Sequence, residues 1–297
     1  MDYIIFLFFL LFVSLFAVMP FFLLYGLSNV VSFFLYRILG YRKKVVRENL
    51  KTAFPEKSEK ALKKIEKDFY LNLSDILLES IKGYTMGEKS ARKRYYTEDG
   101  AVINNLLEKG KSVIITMAHL ANWEWGTNSI PLFVEKDIFV VYKPINNHYI
   151  DQYVKKSRSK NGMTMLPLNK TQLYFQKFAK KPSSIILVSD QNPSNPKRAV
   201  WVDFLGKKTA FLHGIEYYSR TYNMPVVYLS VQRIKRGHYR FNIQLLHENP
   251  KELKPGEITQ LYASKLEEEI KKNPADWVWS HKRWKHRWED HNKKAQV

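Results

Sequence analysis

The sequence contains no cysteine. That absence excludes disulfides, thiolate nucleophiles and cysteine-based zinc sites, and it suits a cytoplasmic-facing protein. Acidic residues are also scarce, with 28 Asp and Glu against 48 Lys and Arg, a formal net charge of +20. So large a surplus calls for an acidic partner: nucleic acid, an anionic membrane surface, or an acidic protein or substrate. Several motifs are missing as well. There is no P-loop, no GxGxxG after a strand and no GxSxG nucleophile elbow, so no nucleotide or dinucleotide cofactor is expected. No internal repeat or low-complexity segment is present.

What the chain does have begins at its N-terminus. Tyr3 to Tyr36 carries no charged residue, and about 20 apolar residues are enough to span a bilayer. Pro20 and Gly26 divide the run. We read a membrane helix from about Ile4 to Leu24 and a second apolar piece, Leu27 to Tyr36, in or on the membrane; one tilted helix or a shallow hairpin are alternatives. Asp2 and the length of the run argue against a cleavable signal peptide. Arg37, Arg42, Lys43, Lys44 and Arg47 follow directly, which by the positive-inside tendency places the remainder in the cytoplasm. The expected organisation is a membrane anchor over 1–36, one α/β domain over 37–290 and a disordered basic tail over 291–297.

Within the domain the patterns alternate. Lys43 to Phe54 reads as a helix ending before Pro55. Ser58 caps a long amphipathic helix reaching Gly83, with apolar residues at Leu62, Ile65, Phe69, Leu73, Ile76, Leu77 and Ile81. Buried strands are expected at Val113 to Met117, Ile138 to Tyr142, Ser184 to Val188 and Val226 to Val231, and an alternating one at Tyr239 to Leu245. Helices are expected at Asn147 to Lys160, Ala210 to Tyr222 and Ile258 to Lys272. Strands separated by helices predict a mixed, mostly parallel sheet flanked by helices, with an antiparallel edge.

Three strand ends carry polar groups: His119 with Glu124, Lys143 with nearby Arg158, and Asp190 with Gln191. Open α/β sheets bind ligands at the carboxyl ends of their strands, so the three sets are expected to share one cleft. Glu124 is read in the first turns of a helix after His119. On an ideal helix the two would be about 140° apart, but a His just before the helix is within reach of a carboxylate bending back. A histidine oriented by a carboxylate makes a general base for an alcohol near neutral pH. Asn122 stands between them as a helix cap. His281, His286, Glu289 and His291 match no metal-ligand spacing. The basic aromatic stretch Trp277 to Trp288 fits nucleic acid, stacking within the fold, or a headgroup interface, and the anchor favours the last two.

The segment AHLANWEWG resembles the His-x4-Asp/Glu motif of glycerolipid-type acyltransferases, in the version found in the lipid A biosynthesis (lauroyl/myristoyl) acyltransferase family. Further segments are similar to that family over nearly the whole chain: RENL with FPE, VYKPINNHYIDQYVKKSRSKNG including Arg158 and Gly162, SDQNP, VDFLG with TAFLHG, and NPADWVWSHKRWK. Leu205 departs from the pattern where a second Phe is common, and His213 where a small hydroxyl residue is common. The resemblance implies a single-pass enzyme of the Gram-negative inner membrane that moves an acyl chain from acyl carrier protein to a hydroxyl of a phosphorylated glycolipid, a lipid A precursor. It further implies His119 and Glu124 as the catalytic pair. Asn122, Lys143, Arg158, Asp190 and Gln191 become candidate substrate-binding residues. Metal, cofactor and nucleic acid have no place in that reading.

Overall fold

A computed structural model describes residues 1–178 and 181–292. Two apolar helices open the chain, α1 (Asp2–Val18) and α2 (Phe21–Phe33), the second continued by a wider helical turn over Phe34–Ile38. The helical pair α3 (Lys43–Ala53) and α4 (Glu59–Gly83) follows, then α5 (Glu88–Arg94), the short strand β1 (Tyr95–Tyr96) and α6 (Ala101–Glu108). The central alternation is β2 (Val113–Met117), α7 (Gly126–Ser129), β3 (Ile138–Tyr142), α8 (His148–Ser159), β4 (Met163–Pro167), α9 (Thr171–Phe178) and β5 (Ser184–Val188). A hairpin of β6 (Val200–Phe204) and β7 (Lys207–Phe211) leads to α10 (Gly214–Tyr222), β8 (Val226–Lys235), β9 (His238–His247), α11 (Glu257–Lys272) and α12 (Trp288–Asn292).

Seven strands form one sheet in the order β1-β9-β8-β2-β5-β3-β4. Strands β8, β2, β5, β3 and β4 run parallel, while β9 pairs antiparallel with β8 and is followed at the edge by β1. The α/β class and the mostly parallel sheet are therefore as the sequence patterns predict. β2 is buried along its whole length, as a central parallel strand covered on both faces must be. Its residues alternate between two cores: Ile114 faces the layer of α3, α4, α10 and α11, and Val113, Ile115 and Met117 face the layer around Trp125 and Ile130. Ile185 and Leu187 of β5 join the first core and Ile186 joins the second, which is the two-residue period of a strand.

Caps explain where several helices start. Ser58 accepts from the Ala61 N–H to begin α4, and Asn147 accepts from the Ile150 N–H to begin α8. Four expectations change. Ala210 and Phe211, expected to start a helix, instead end the strand Lys207–Phe211, because Leu205 and Gly206 both take positive φ (49° and 75°) and close a two-residue hairpin. Met163 to Pro167 adds an edge strand that its single alternation did not announce. Pro20 removes a backbone donor between two helices, so the uninterrupted helix expected over Ile4 to Leu24 is split; the segment long and apolar enough to cross a membrane is Phe21–Ile38. Of the tail expected to be disordered, His291 and Asn292 end α12, and 293–297 lie outside the described residues.

The two layers meet tightly beside the site. A Cβ on Gly83 would fall 2.8 Å from Trp125 Nε1, and that indole N–H donates to the Glu79 carbonyl at 2.7 Å. We predict that Gly83→Val destabilises the fold by about 1–3 kcal/mol through overpacking. Denaturation in detergent should show a lowered midpoint, and an unchanged midpoint would mean the indole can give way.

Candidate active site

His119 and Asp190 are brought together by strand register. Met117 of β2 lies opposite Val188 of β5, and each polar residue stands two positions beyond its strand. Neighbouring strands are about 4.8 Å apart, so the two side chains leave the sheet level with each other. His119 Nδ1 lies 2.7 Å from Asp190 Oδ1, and the His119 backbone N–H donates to Asp190 Oδ2 at 3.1 Å. The Trp277 indole N–H donates to the same oxygen at 2.9 Å. A carboxylate only accepts, so Nδ1 carries the proton and Nε2 keeps its lone pair. Nε2 lies 3.4 Å from the Gln191 side-chain nitrogen.

The environment tunes both groups. Burial alone would raise the Asp190 carboxyl, but the charge of His119 and the three N–H donors together hold it below its ordinary value. Burial pulls the His119 imidazole down, and the Asp190 carboxylate, aided by Glu124, more than offsets this and raises it above its ordinary value.

The loop carrying His119 is held at several points. Leu120 bridges to Trp277 in antiparallel fashion, and the Ala121 N–H donates to the Asp276 carbonyl at 2.9 Å. Ala121 has a φ of +48°, a left-handed conformation costing about 1–2 kcal/mol in a residue with a Cβ. Asn122 Oδ1 accepts from the Trp125 N–H at 3.0 Å, and its Nδ2 donates to Glu79 at 2.6 Å.

Several expected positions are corrected by this geometry. Glu124 lies in the turn before α7, outside the helix, and is not the acid on the His119 ring. It takes the Arg158 guanidinium at 2.5 Å and the Trp123 indole N–H at 3.2 Å, since a permanent cation competes better for a carboxylate than a neutral imidazole. Asp190 is 1% exposed and stands behind His119, where it meets the ring instead of a substrate. Asn122 does cap the turn, but it is fully buried with both side-chain atoms engaged, so neither an oxyanion nor a substrate contact is open to it. Trp277, the third donor to Asp190, was not singled out. Its sequence signals are membership of the aromatic C-terminal stretch and of the family-like segment NPADWVWSHKRWK; Trp277, Trp279 and Arg283 are all buried.

A cleft of about 510 Å³ opens beside His119. Met117, Val140, Met165, Ile186 and Val188 make its wall apolar, while His119, Glu124, Lys143 and Arg158 bring charge to it. His119 and Lys143 from separate strand ends and Arg158 from α8 thus share one cavity, with Glu124. An imidazole whose lone pair meets an apolar cleft is fitted to take a proton from a hydroxyl beside a bound hydrocarbon chain. The model of the bacterial lipid A biosynthesis acyltransferase family matches residues 1–286. The chain belongs to this family. Comparison with curated proteins gave no match. Family membership makes the chain a member of an acyltransferase family and ties it to lipid A synthesis.

The histidine–aspartate pair sets a pH signature. The folded His119 pKa is raised above its ordinary 6.5, so its share of stability is full below that value and is lost as pH rises through the folded pKa. The Asp190 pKa is lowered below 3.8, so its share is present above that value and lost as pH falls. We predict that Asp190→Asn destabilises the protein most between these two titrations, with the gap to the parent closing as pH rises beyond the His119 pKa. Denaturation midpoints of both proteins across pH test this; a gap independent of pH would show that the pair is not coupled.

Proposed function

We propose that the protein transfers a fatty acyl chain from acyl carrier protein to a hydroxyl of a phosphorylated lipid A precursor at the cytoplasmic face of the inner membrane. The observation that carries the reading is the His119–Asp190 pair at the edge of an apolar cleft, in a chain of this family. The acyl chain would lie along the wall of Met117, Val140, Met165, Ile186 and Val188, gaining about 0.8 kcal/mol per buried methylene.

In the reaction, His119 Nε2 takes the hydroxyl proton as the acceptor oxygen attacks the thioester carbonyl carbon. Asp190 holds Nδ1–H and balances the imidazolium that forms. Collapse of the tetrahedral intermediate forms the ester and breaks the C–S bond, and the departing thiolate takes the proton back from Nε2. No acyl-enzyme is required, because the acceptor alcohol is the nucleophile. The Glu124–Arg158 pair, with Lys143, would orient phosphate-bearing substrate at the same cleft. An acidic carrier protein, a phosphorylated lipid and an anionic leaflet would all be drawn to a chain of net charge +20.

We predict that His119→Ala abolishes acyl transfer while membrane association persists. Asp190→Asn should lose about 10²–10⁴-fold in kcat, the range of general-base assistance, and Glu124→Ala about 10²-fold, expressed partly in KM. Radiolabelled acyl transfer in membranes measures these, and near-parental transfer by His119→Ala would refute the proposed role. Mass spectrometry of lipid A with and without the gene should show one missing acyl chain. A change confined to phospholipids would reassign the acceptor.

A further inference from the structure

The two N-terminal helices touch the domain along their whole length. At the start of α1, Tyr3 and Phe6 pack on Tyr149 of α8 with ring centroids 5.3 and 5.8 Å apart, and Asn147 donates to the Asp2 carbonyl at 2.9 Å. Phe9 packs on Tyr153 at 5.5 Å. At the other end, the Lys82 ammonium donates to the carbonyls of Phe16, Ala17 and Met19 at 3.0, 2.6 and 2.9 Å, capping the helix where Pro20 turns the chain.

α2 is held just as closely. The Arg94 guanidinium lies 3.5 Å over the Phe21 ring. Tyr25 donates to Glu79 at 2.7 Å, Ser28 donates to Asp75 at 2.5 Å, and Arg236 donates to Asn29 at 2.9 Å. Beyond it, Tyr36 packs on Tyr70 at 5.2 Å and its carbonyl accepts from Lys43 at 3.2 Å. The inner faces therefore rest on Asp75, Glu79, Lys82, Arg94 and Arg236. The outer faces are apolar and exposed: Phe8, Leu11 and Leu15 on α1, Phe22, Val30 and Phe33 on α2.

We infer that α1 and α2 lie flat, seating the domain in a single leaflet of the bilayer, and that neither carries the chain across it. A spanning helix must stand clear of its domain for about 30 Å of hydrocarbon. Crossing while docked would draw the charges beneath α2 to hydrocarbon depth, where they are costly. Crossing undocked would strip Glu79 and Asp75 of their α2 partners and leave Lys82 without its carbonyls. An apolar outer face over a charged inner one is the pattern of an interfacial helix. The occupant is one anionic leaflet, whose headgroups meet the exposed Arg37 and Lys44 just past α2. On this inference the N-terminal pair is monotopic, where hydropathy leads to the expectation of a single-pass anchor.

The absence of native cysteine makes a clean test. Single variants Asp2→Cys, Val18→Cys and Lys44→Cys are treated with a membrane-impermeant maleimide in right-side-out and inverted vesicles of the expressing bacterium. Positions 2 and 44 should react from the same side, and position 18 should not react from the opposite side. Reaction of 2 and 44 from opposite sides, or of 18 from the side opposite 44, overturns the inference. A second arm uses Asp2→Cys combined with His148→Cys and a short bismaleimide in native membranes. An intramolecular cross-link supports docking of α1, and its absence while both sites react singly overturns it.

Discussion

A buried carboxylate that only three N–H groups keep charged is the constraint on which the site depends. Asp190 is removed from water, and a charge so placed costs several kcal/mol unless its lone pairs are filled. The donors come from distant parts of the chain: the ring and backbone of His119 after β2, and Trp277 after α11. Strands β2 and β5 must be neighbours in register, and the C-terminal segment must fold back over both, before the imidazole has its partner. The C-terminal aromatic run is accordingly part of the site's interior. Tyr262 of α11 adds to this closure by donating to the Met117 carbonyl at 3.0 Å.

Two carboxylates near one histidine divide the work because their surroundings differ. Asp190 is sealed in and meets the imidazole, the His119 backbone N–H and the Trp277 indole, so it fixes a tautomer. Glu124 is partly open, tied to Arg158 across the cleft, and influences His119 through space. Behind both, Glu79 is fully buried and accepts from Tyr25, Asn122 and Tyr239 at 2.6–2.7 Å. Its burial raises its pKa, against the pull of those three hydrogen bonds. One side chain of α4 thus holds the apolar N-terminal segment, the loop carrying His119 and β9 together. A site on a loop gains precision from such supporting contacts.

The same arrangement relates the cleft to the apolar N-terminal helices. α8 carries Arg158 on one turn and packs Tyr149 and Tyr153 against α1 on others. The helix that delivers a cation to the cleft is therefore also the helix that receives α1. Apolar exposure on α1 and α2 stays separate from the charged faces below, because Lys82, Arg94 and Arg236 are spent on backbone carbonyls, a ring face and polar side chains instead of on solvent.

Local patterns determined much of this protein. The buried strands Val113–Met117, Ile138–Tyr142 and Ser184–Val188 were legible because a short β-branched run between turn residues has few other solutions. The cap Ser58 was legible because a side-chain oxygen three residues before a free N–H acts within one turn. His119, Lys143 and Asp190 were each placed at a strand end for the same reason. Which strand lies beside which was not legible, since parallel neighbours are chosen by packing across crossovers and leave no mark on either strand alone. Tertiary structure alone therefore decided that Asp190, not Glu124, faces the imidazole, that Trp277 completes the carboxylate's donors, and that the apolar N-terminus rests on charges instead of standing free. Spacing along the chain limits which groups can be near each other within a turn; only the register of the sheet and the docking of its helices settle pairs separated by 71 or 87 residues.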